Sequence, residues 1–521
     1  MTDDITRYDA VEAYCSDLSV VPGASLALHV SCRTGRYDIA IHRWGATLEL
    51  VWSADGLAGT EHPTPDDADS NGCDWPSDVT VPIGDDWRTG FYLVTLTARD
   101  APADRAVGYA AFIVRGGQRR NRALLVIATN TYNAYNSWGG KSLYTGGWRV
   151  SFARPFGRGM LMRPGTERDD RKARPRYRRE DPDVDGMIYQ DYRFANGYPG
   201  FMGSAGWFTY ERRFVEWAEG QGLDLDYAVS SDLDRDAGVV DGYDLLVGVG
   251  HDEYWSAGQR AVVERHVRGG GNYVSLSGNT MFWQVRLEDD RRAMVCYKYR
   301  AHEIDPVMGT DAEGTMSGMW ADPVVGRPET ALFGAGSAQG MYSRFGMATP
   351  RGSGAFTVYR NDHWMFEGTG LRYGDLLGAD DGVVGYETVG CRLAFDAYQL
   401  PVAAGGDGTP SEIEVVAFTP SSNLAMGEYP ASIAALEDQG DLEFIAARLH
   451  GRVDEETLAL CRHGNAVMVT CRPFGGDGGE VVSIGSTDWV FGLAGDPLVG
   501  RVTRNVIEHG LGGAQQLIDV G

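Results

Sequence analysis

Apolar and polar side chains alternate in short runs over the first 118 residues, and Gly, Pro and Asp clusters separate these runs. The clearest alternating runs cover residues 25–32, 37–42, 91–98 and 108–115. A period of two places successive side chains on opposite faces of a strand. Several short strands between turn signals are typical of a β-sandwich. We therefore predict an immunoglobulin-like β-sandwich over residues 1–118 and expect it to be an accessory domain.

Continuous apolar runs replace the alternation after residue 119. Short runs of this kind cover residues 123–128, 226–230, 243–249 and 272–277. Strands that are buried on both faces have this pattern. Amphipathic segments begin near Phe214 and Ala257, and both end at glycines, as helices do. Alternating strands and helices predict an α/β fold with a parallel sheet, and we assign residues 119–521 to this second domain.

The remaining chain has a mixed pattern. Strands are predicted at residues 381–387, 412–418 and 480–485, and helices at 432–436 and 497–508. The glycine-rich segment 474–479 predicts a hairpin turn. A long insertion over residues 141–206 is dense in both acidic and basic side chains. It is either a solvated loop or a lid over a site.

Polar and aromatic residues follow three of the predicted strands directly, at residues 129–140, 250–255 and 277–283. Parallel strands end at one edge of a sheet, and α/β proteins form their sites beyond that edge. A plain connection between strand and helix does not need such side chains. We therefore expect a functional site built from these three segments.

The turn Gly250-His251-Asp252-Glu253 carries an imidazole and two carboxylates. Either His251 and Asp252 cap the next helix, or the turn holds a metal ion or an acid–base pair. No cysteine or second histidine is near, so a soft zinc site is disfavoured and a hard, oxygen-bound ion is favoured. The nearby phenols are either further ligands or packed aromatic rings; they are Tyr132, Tyr135, Tyr144 and Tyr210.

Two further polar residues follow predicted strands. Asn279 could donate to a developing oxyanion, or could simply form a turn. Glu387 could act as a general base or orient His251. By contrast, the pair Asp362-His363 is typical of a turn rather than of a pair of ligands.

Composition excludes several classes of function. The chain has 521 residues and a formal charge of −25, so nucleic acid and anionic membrane are disfavoured as partners. The seven cysteines are scattered, and the N-terminus lacks the features of a secretory signal; both observations favour a cytoplasmic protein. Motifs for a serine nucleophile, for ATP and for a dinucleotide are absent from the sequence.

Several motifs, in this order, resemble the C-terminal catalytic region of the large (beta) subunit of N,N-dimethylformamidase and its relatives. They lie within residues 120–510, at positions 134–144, 250–255, 277–286, 295–298, 362–370 and 385–387. The resemblance implies a glutamine-amidotransferase-like fold. It also implies a small partner subunit, and we expect the enzyme to be a homo-oligomer.

The resemblance also implies a mononuclear iron centre, with Fe³⁺ bound by two tyrosinates and one glutamate. The glutamate corresponds to Glu253 and the first tyrosinate to Tyr135. For the second tyrosinate we select Tyr210, with Tyr177 and Tyr189 as alternatives. His251, Asn279 and Glu387 match further active-site residues of the family.

These matches predict hydrolysis of the C–N bond of a small N-alkyl amide, with Glu387 as base, His251 beside it and Asn279 at the oxyanion. Three tryptophans are expected to wall an apolar pocket: Trp138, Trp255 and Trp283. Three alternatives remain open. The same fold could act on a larger natural-product or sugar-linked amide, could use iron for redox chemistry, or could be a non-catalytic binding or scaffold protein.

Overall fold

The computed structural model describes residues 9–116, 121–163, 197–340, 354–422 and 441–512. Contacts divide these residues into two compact units. The first unit holds the described residues up to 163, residues 197–243 and residues 287–295. The second holds residues 244–286 and the described residues from 296 onward. No helix in these described ranges is long and apolar enough to span a bilayer.

The strands, in chain order, are β1 (Val11–Cys15), β2 (Ser19–Val20), β3 (Ser25–Cys32), β4 (Arg36–Trp44), β5 (Leu48–Ala58), β6 (Ser77–Pro82), β7 (Gly90–Ala98), β8 (Val107–Val114), β9 (Ala123–Ile127), β10 (Arg149–Ser151), β11 (Leu225–Val229), β12 (Leu245–His251), β13 (Tyr254–Ser256), β14 (Asn272–Gly278), β15 (Trp283–Glu288), β16 (Ala293–Val295), β17 (Phe356–Val358), β18 (Leu376–Leu377), β19 (Leu393–Phe395), β20 (Pro401–Ala403), β21 (Ile413–Ser422), β22 (His463–Cys471) and β23 (Val481–Ile484).

The α-helices, in chain order, are α1 (Ala68–Asn71), α2 (Thr129–Tyr135), α3 (Glu211–Gly220), α4 (Ser230–Arg235), α5 (Ala257–Arg268), α6 (Ala301–Ile304), α7 (Thr330–Phe333), α8 (Asp441–His450), α9 (Glu455–Arg462) and α10 (Pro497–Gly510). Short 3₁₀ turns connect several of these elements.

Two sheets of the first unit enclose one apolar core. One sheet has the strand order β1-β3-β6 and the other the order β2-β8-β7-β4-β5. Their inward-facing side chains, among them Leu28, Ile41 and Phe112, form a single cluster. The alternating runs of the sequence thus form paired strands as predicted, because a period of two buries one face of each sheet.

The rest of the first unit packs on this pair of sheets. Strands β9 and β11 are parallel neighbours. Helix α3 binds β4 through the Arg43–Glu219 ion pair, with N···O 2.6 Å. The rings of Phe91 and Trp207 stack with their centroids 3.8 Å apart. The sheets and the segment around α3 therefore form one packed body.

The second unit is built on a mixed sheet. Strand β14 pairs in parallel with β12 and with β23. Strands β22 and β21 continue the sheet in the antiparallel sense. The glycine-rich segment joins β22 to β23, so the predicted hairpin is confirmed. The structure is mixed α/β, as predicted: helix α5 connects the parallel strands β12 and β14, and α10 follows β23.

The predicted strand at residues 381–387 is wrong. Its buried valines suggested a strand, but the backbone here forms irregular turns. Amide groups bond to scattered acceptors: Val383 donates to the carbonyl of Gly378 at 3.2 Å, and Val384 to that of Gly354 at 2.9 Å. Tyr386 has a positive φ of 44°, which no regular strand contains. The helix predicted at 432–436 lies outside the described residues.

Candidate active site

The turn after β12 carries the first part of the site. His251 is the last residue of β12, and Glu253 immediately precedes β13. Helix α5 is capped by Ser256, whose hydroxyl oxygen accepts from the Gln259 amide at 3.0 Å. His251 and Asp252 therefore do not cap that helix, and the capping interpretation of this turn is wrong.

His251 lies between two carboxylates. Its Nε2 is 2.6 Å from Oε2 of Glu387 and 3.2 Å from Oε2 of Glu253. All three side chains are buried, with the histidine ring fully inaccessible. Asn279 completes the cluster, because its Nδ2 donates to Oε2 of Glu387 at 3.0 Å. The four residues that the sequence predicted for this unit are thus brought together.

Asn279 has a positive φ of 50°, a conformation that asparagine tolerates better than most residues. It follows Gly278, where the backbone of three segments meets. A Cβ at that glycine would lie 2.2 Å from the carbonyl oxygen of Glu387 and 2.4 Å from the amide nitrogen of Thr487. Glycine therefore permits the close approach that brings Asn279 to Glu387.

Glu387 is held by the segment that follows β23. The Thr487 amide donates to the Glu387 carbonyl oxygen at 3.1 Å, and the Thr487 hydroxyl donates to the Gly385 carbonyl at 2.8 Å. The Tyr386 ring packs edge-on against the His251 ring, with centroids 5.7 Å apart. These contacts fix the backbone on both sides of the carboxylate.

Burial and the facing side chains shift the pKa values of this cluster in opposing directions. Burial lowers the pKa of His251, but the Glu387 and Glu253 carboxylates more than offset burial and raise it to about 10. Burial raises the pKa of Glu387 above its ordinary value, against the opposing pull of His251. When both glutamates are ionised, one imidazolium faces two carboxylates, and this charge balance favours a bound cation.

The donor set fits a hard metal ion. Single ligand atoms of His251, Glu253 and Glu387 all lie within 4.8 Å of one another. They are nitrogen and carboxylate oxygen, the donors of iron and similar ions. The buried Oδ1 of Asn279 has no hydrogen-bond partner among the described residues, which leaves an acceptor for a substrate or a water molecule.

Asp252, the other carboxylate of the turn, does not join this cluster. Burial raises its pKa to about 7. A Cβ at Gly248 would lie 3.4 Å from its Oδ2 and 2.4 Å from the Tyr273 hydroxyl. Asp252 therefore faces the interior next to β12 and β14.

The predicted tyrosines belong to the first unit. Tyr135 ends helix α2 and is buried, and its hydroxyl donates to that of Tyr144 at 2.7 Å. Their rings stack with centroids 4.2 Å apart. Tyr210 is buried and lies immediately before α3 begins. Tyr177 and Tyr189 lie outside the described residues, and the choice of tyrosine ligands stays a prediction.

Sequence reasoning missed the role of Trp283. Its Nε1 donates to Oε1 of Glu253 at 2.8 Å, so the ring binds a carboxylate in addition to packing against apolar side chains. Trp138 packs with Trp75 in an apolar cluster of the first unit. Trp255 packs against Phe333. A buried indole near a strand-end carboxylate is the one signal that could have indicated this hydrogen bond.

The interpretation of residues 362–364 as a turn agrees with the structure. His363 precedes a 3₁₀ turn, and its Nδ1 accepts from the Met365 amide at 3.2 Å. Its Nε2 lies 3.7 Å from Glu414. This histidine therefore caps a turn.

Comparison with known families agrees with the geometry. The profile of the N,N-dimethylformamidase beta subunit-like, C-terminal family matches residues 36–504. The match begins at the first residue of β4, so on its N-terminal side it extends beyond the motifs and includes strands β4 to β8. A search of curated proteins finds no match. Because the profile covers most of the chain, the protein belongs to the N,N-dimethylformamidase beta subunit-like, C-terminal family.

Proposed function

We propose that this protein is an iron-dependent amidohydrolase that cleaves the C–N bond of small N-alkyl amides. Family membership supports a dimethylformamidase-like hydrolase. The observation that carries the proposal is the buried cluster in which His251 lies between Glu253 and Glu387 while Asn279 donates to Glu387. We also propose the glutamine-amidotransferase-like and immunoglobulin-like folds, which the α/β sheet and the N-terminal sheets are compatible with.

The acid–base chemistry is assigned to Glu387. Its carboxylate is held by two donors, so one orientation is favoured before substrate binds. We infer that it takes a proton from the attacking water and delivers it to the leaving amine. His251, kept protonated by its two carboxylate neighbours, stabilises the anionic form of Glu387.

The metal assignment rests on Glu253. Ferric iron, when bound, supplies Lewis acidity that polarises an amide carbonyl and lowers the pKa of water. Tyr135 and Tyr210 are the proposed tyrosinate ligands. A second donor set is favoured by the mutual distances of His251, Glu253 and Glu387. In that set His251 is neutral and binds the metal through the nitrogen that otherwise carries the proton. The two sets are distinguishable, since only tyrosinate ligands give ferric iron a charge-transfer band in visible light.

Two experiments test the reaction. N,N-dimethylformamide, as the probe substrate, should release dimethylamine equally with and without oxygen; a need for oxygen would instead indicate redox chemistry. Glu387→Gln should lower kcat about 100-fold or more, the range of lost general acid–base catalysis. Glu313→Gln, at an exposed position of the same unit, is the control. Equal turnover by Glu387→Gln and the wild type would refute the assignment.

We propose that the protein assembles with other chains. The name of the family refers to a beta subunit, which supports assembly with a second, smaller chain, and we propose a homo-oligomer of such pairs. Analytical ultracentrifugation of the protein alone and with a co-expressed small subunit tests this.

A further inference from the structure

The motif at residues 295–298 ends in Lys298, whose position and backbone conformation are unusual for a lysine. Lys298 is buried and has a positive φ of 50°. A lysine in this conformation is uncommon and costs free energy, so the surrounding structure must impose it. Its main chain is fixed by the amide of Lys298, which donates to the Ser317 carbonyl at 3.0 Å.

The Lys298 ammonium lies against aromatic rings. Its Nζ is 5.2 Å from the centroid of Trp283, 5.3 Å from that of Tyr299 and 5.9 Å from that of Tyr254. Such distances allow cation–π attraction, which is stronger where water is excluded. The positive charge therefore faces the same indole whose N–H binds Glu253.

The two oxygens of Glu253 have different neighbours. Oε1 accepts from Trp283 Nε1 at 2.8 Å, and Oε2 lies 3.2 Å from His251 Nε2. The indole thus fixes the rotation of the Glu253 carboxylate, so that Oε2 faces His251. A cation over the face of an indole draws electron density from the ring and makes its N–H a stronger donor.

We propose that Trp283 is the positioning residue of the metal ligand Glu253, and that Lys298 acts on Glu253 through the Trp283 ring. The inference rests on the proposed function only in that Glu253 binds metal. It assigns a role to an indole that packing alone does not require, since phenylalanine would pack equally against Tyr299 and Phe444.

Metal affinity tests the proposal, with Co²⁺ as the probe ion and its visible absorption as the readout. Trp283→Phe keeps a ring and loses the donor, so Co²⁺ should bind about 10-fold more weakly, the scale known for groups that orient metal ligands. Lys298→Met should weaken binding less. The double variant should bind no more weakly than Trp283→Phe, because the lysine acts through the indole.

A matched control separates this role from general packing. Trp489 is another buried tryptophan of the second unit, and its Nε1 donates to Thr503 Oγ1 at 2.9 Å. Trp489→Phe loses a comparable hydrogen bond and should keep the Co²⁺ affinity of the wild type. Equal weakening by Trp489→Phe would show that any lost indole bond has this effect and would overturn the proposal.

Glu253→Gln distinguishes failure of the positioning role of Trp283 from failure of the proposed metal site. If Glu253→Gln loses Co²⁺ and Trp283→Phe binds it like the wild type, the positioning role is refuted and the proposed function stands. If Glu253→Gln also binds like the wild type, the metal assignment itself fails. Additive effects in the double variant would refute action of Lys298 through Trp283. Should Trp283→Phe not fold, Lys298→Met alone decides, and unchanged affinity refutes the proposal.

Discussion

Asn279 donates a hydrogen bond to Glu387 across 3.0 Å, although 108 positions separate them in the chain. The same carboxylate oxygen lies 2.6 Å from His251 Nε2. Two donors on one oxygen restrict the rotation of the carboxylate, and a restricted base loses little entropy when the substrate binds. This bond between the end of β14 and an irregular segment therefore organises the proposed catalytic group.

Asn279→Gly isolates the contribution of the amide. Glycine adopts a positive φ without strain, so the backbone should keep its conformation while the side-chain donor is lost. We expect kcat for dimethylformamide to fall about 100-fold, as when a preorganised donor is removed. Thermal unfolding checks the fold, and steady-state kinetics check the loss. Undiminished kcat would contradict the role assigned to Asn279.

Gly278→Ala should disrupt the same region through its backbone. The new Cβ would lie 2.2 Å from the Glu387 carbonyl and 2.4 Å from the Thr487 amide, and neither backbone atom can rotate away. We expect a loss of about 2 kcal/mol or more in the free energy of unfolding, the cost of overpacking. Gly314→Ala, where a Cβ meets no atom within 4 Å, is the control. Denaturant unfolding measures both, and equal stability would contradict the close approach.

Arg154 should be among the most sensitive positions of the first unit. Its buried guanidinium donates to the carbonyls of Ser151, Trp138 and Asn136, at 3.0, 2.6 and 2.9 Å. Arg154→Met leaves these acceptors without that donor, at a cost of about 3 kcal/mol in stability. Arg88→Met, which breaks an exposed ion pair with Glu49, should cost less than about 1 kcal/mol. A similar midpoint of denaturation for the two variants would refute this expectation.

The buried carboxyl of Glu329 should make the stability of the protein depend on pH. Burial raises its pKa to about 7, despite an amide hydrogen bond from Ser337 at 2.9 Å. The folded state keeps this proton above the pH at which the unfolded chain releases it. The contribution of Glu329 to the free energy of unfolding is therefore greatest at low pH. It falls between about pH 4.5 and 7, by up to about 3 kcal/mol.

Glu329→Gln should remove the fall in stability that the wild type shows as the pH rises. Gln is neutral throughout, so the variant should be more stable than the wild type near pH 7 and closer to it near pH 4.5. Unfolding in denaturant at several pH values measures the difference. A constant difference across this range would contradict the shifted pKa. The exposed Glu313→Gln is the control and should follow the wild type.

Local periodicity predicted the regular elements well. The apolar run at 243–249 becomes β12 (Leu245–His251), and the amphipathic run at 257–267 becomes α5 (Ala257–Arg268). Both patterns arise from burial of one face or both faces of an element, which a short stretch of sequence records. His251 and Glu253 were found for the same reason, since they directly follow such a run.

The rest of the site depends on contacts that the sequence does not record locally. The Glu387 segment was predicted as a strand because Val383 and Val384 are apolar, but its amides bond to turns. The positive φ angles of Tyr386 and Lys298 place bulky side chains in a conformation that their residue types disfavour. Tertiary packing imposes these conformations, so propensity could not reveal them.

Metal analysis of the purified wild type and Glu253→Gln, with visible spectra of both, tests the central claim most directly. The wild type should carry about one iron per chain, the single metal of a mononuclear site, and Glu253→Gln should carry almost none. A charge-transfer band in the wild type would identify tyrosinate ligands, and its absence would favour His251 and Glu387. Equal iron content in both proteins would contradict the account, because Glu253 would then not bind the metal.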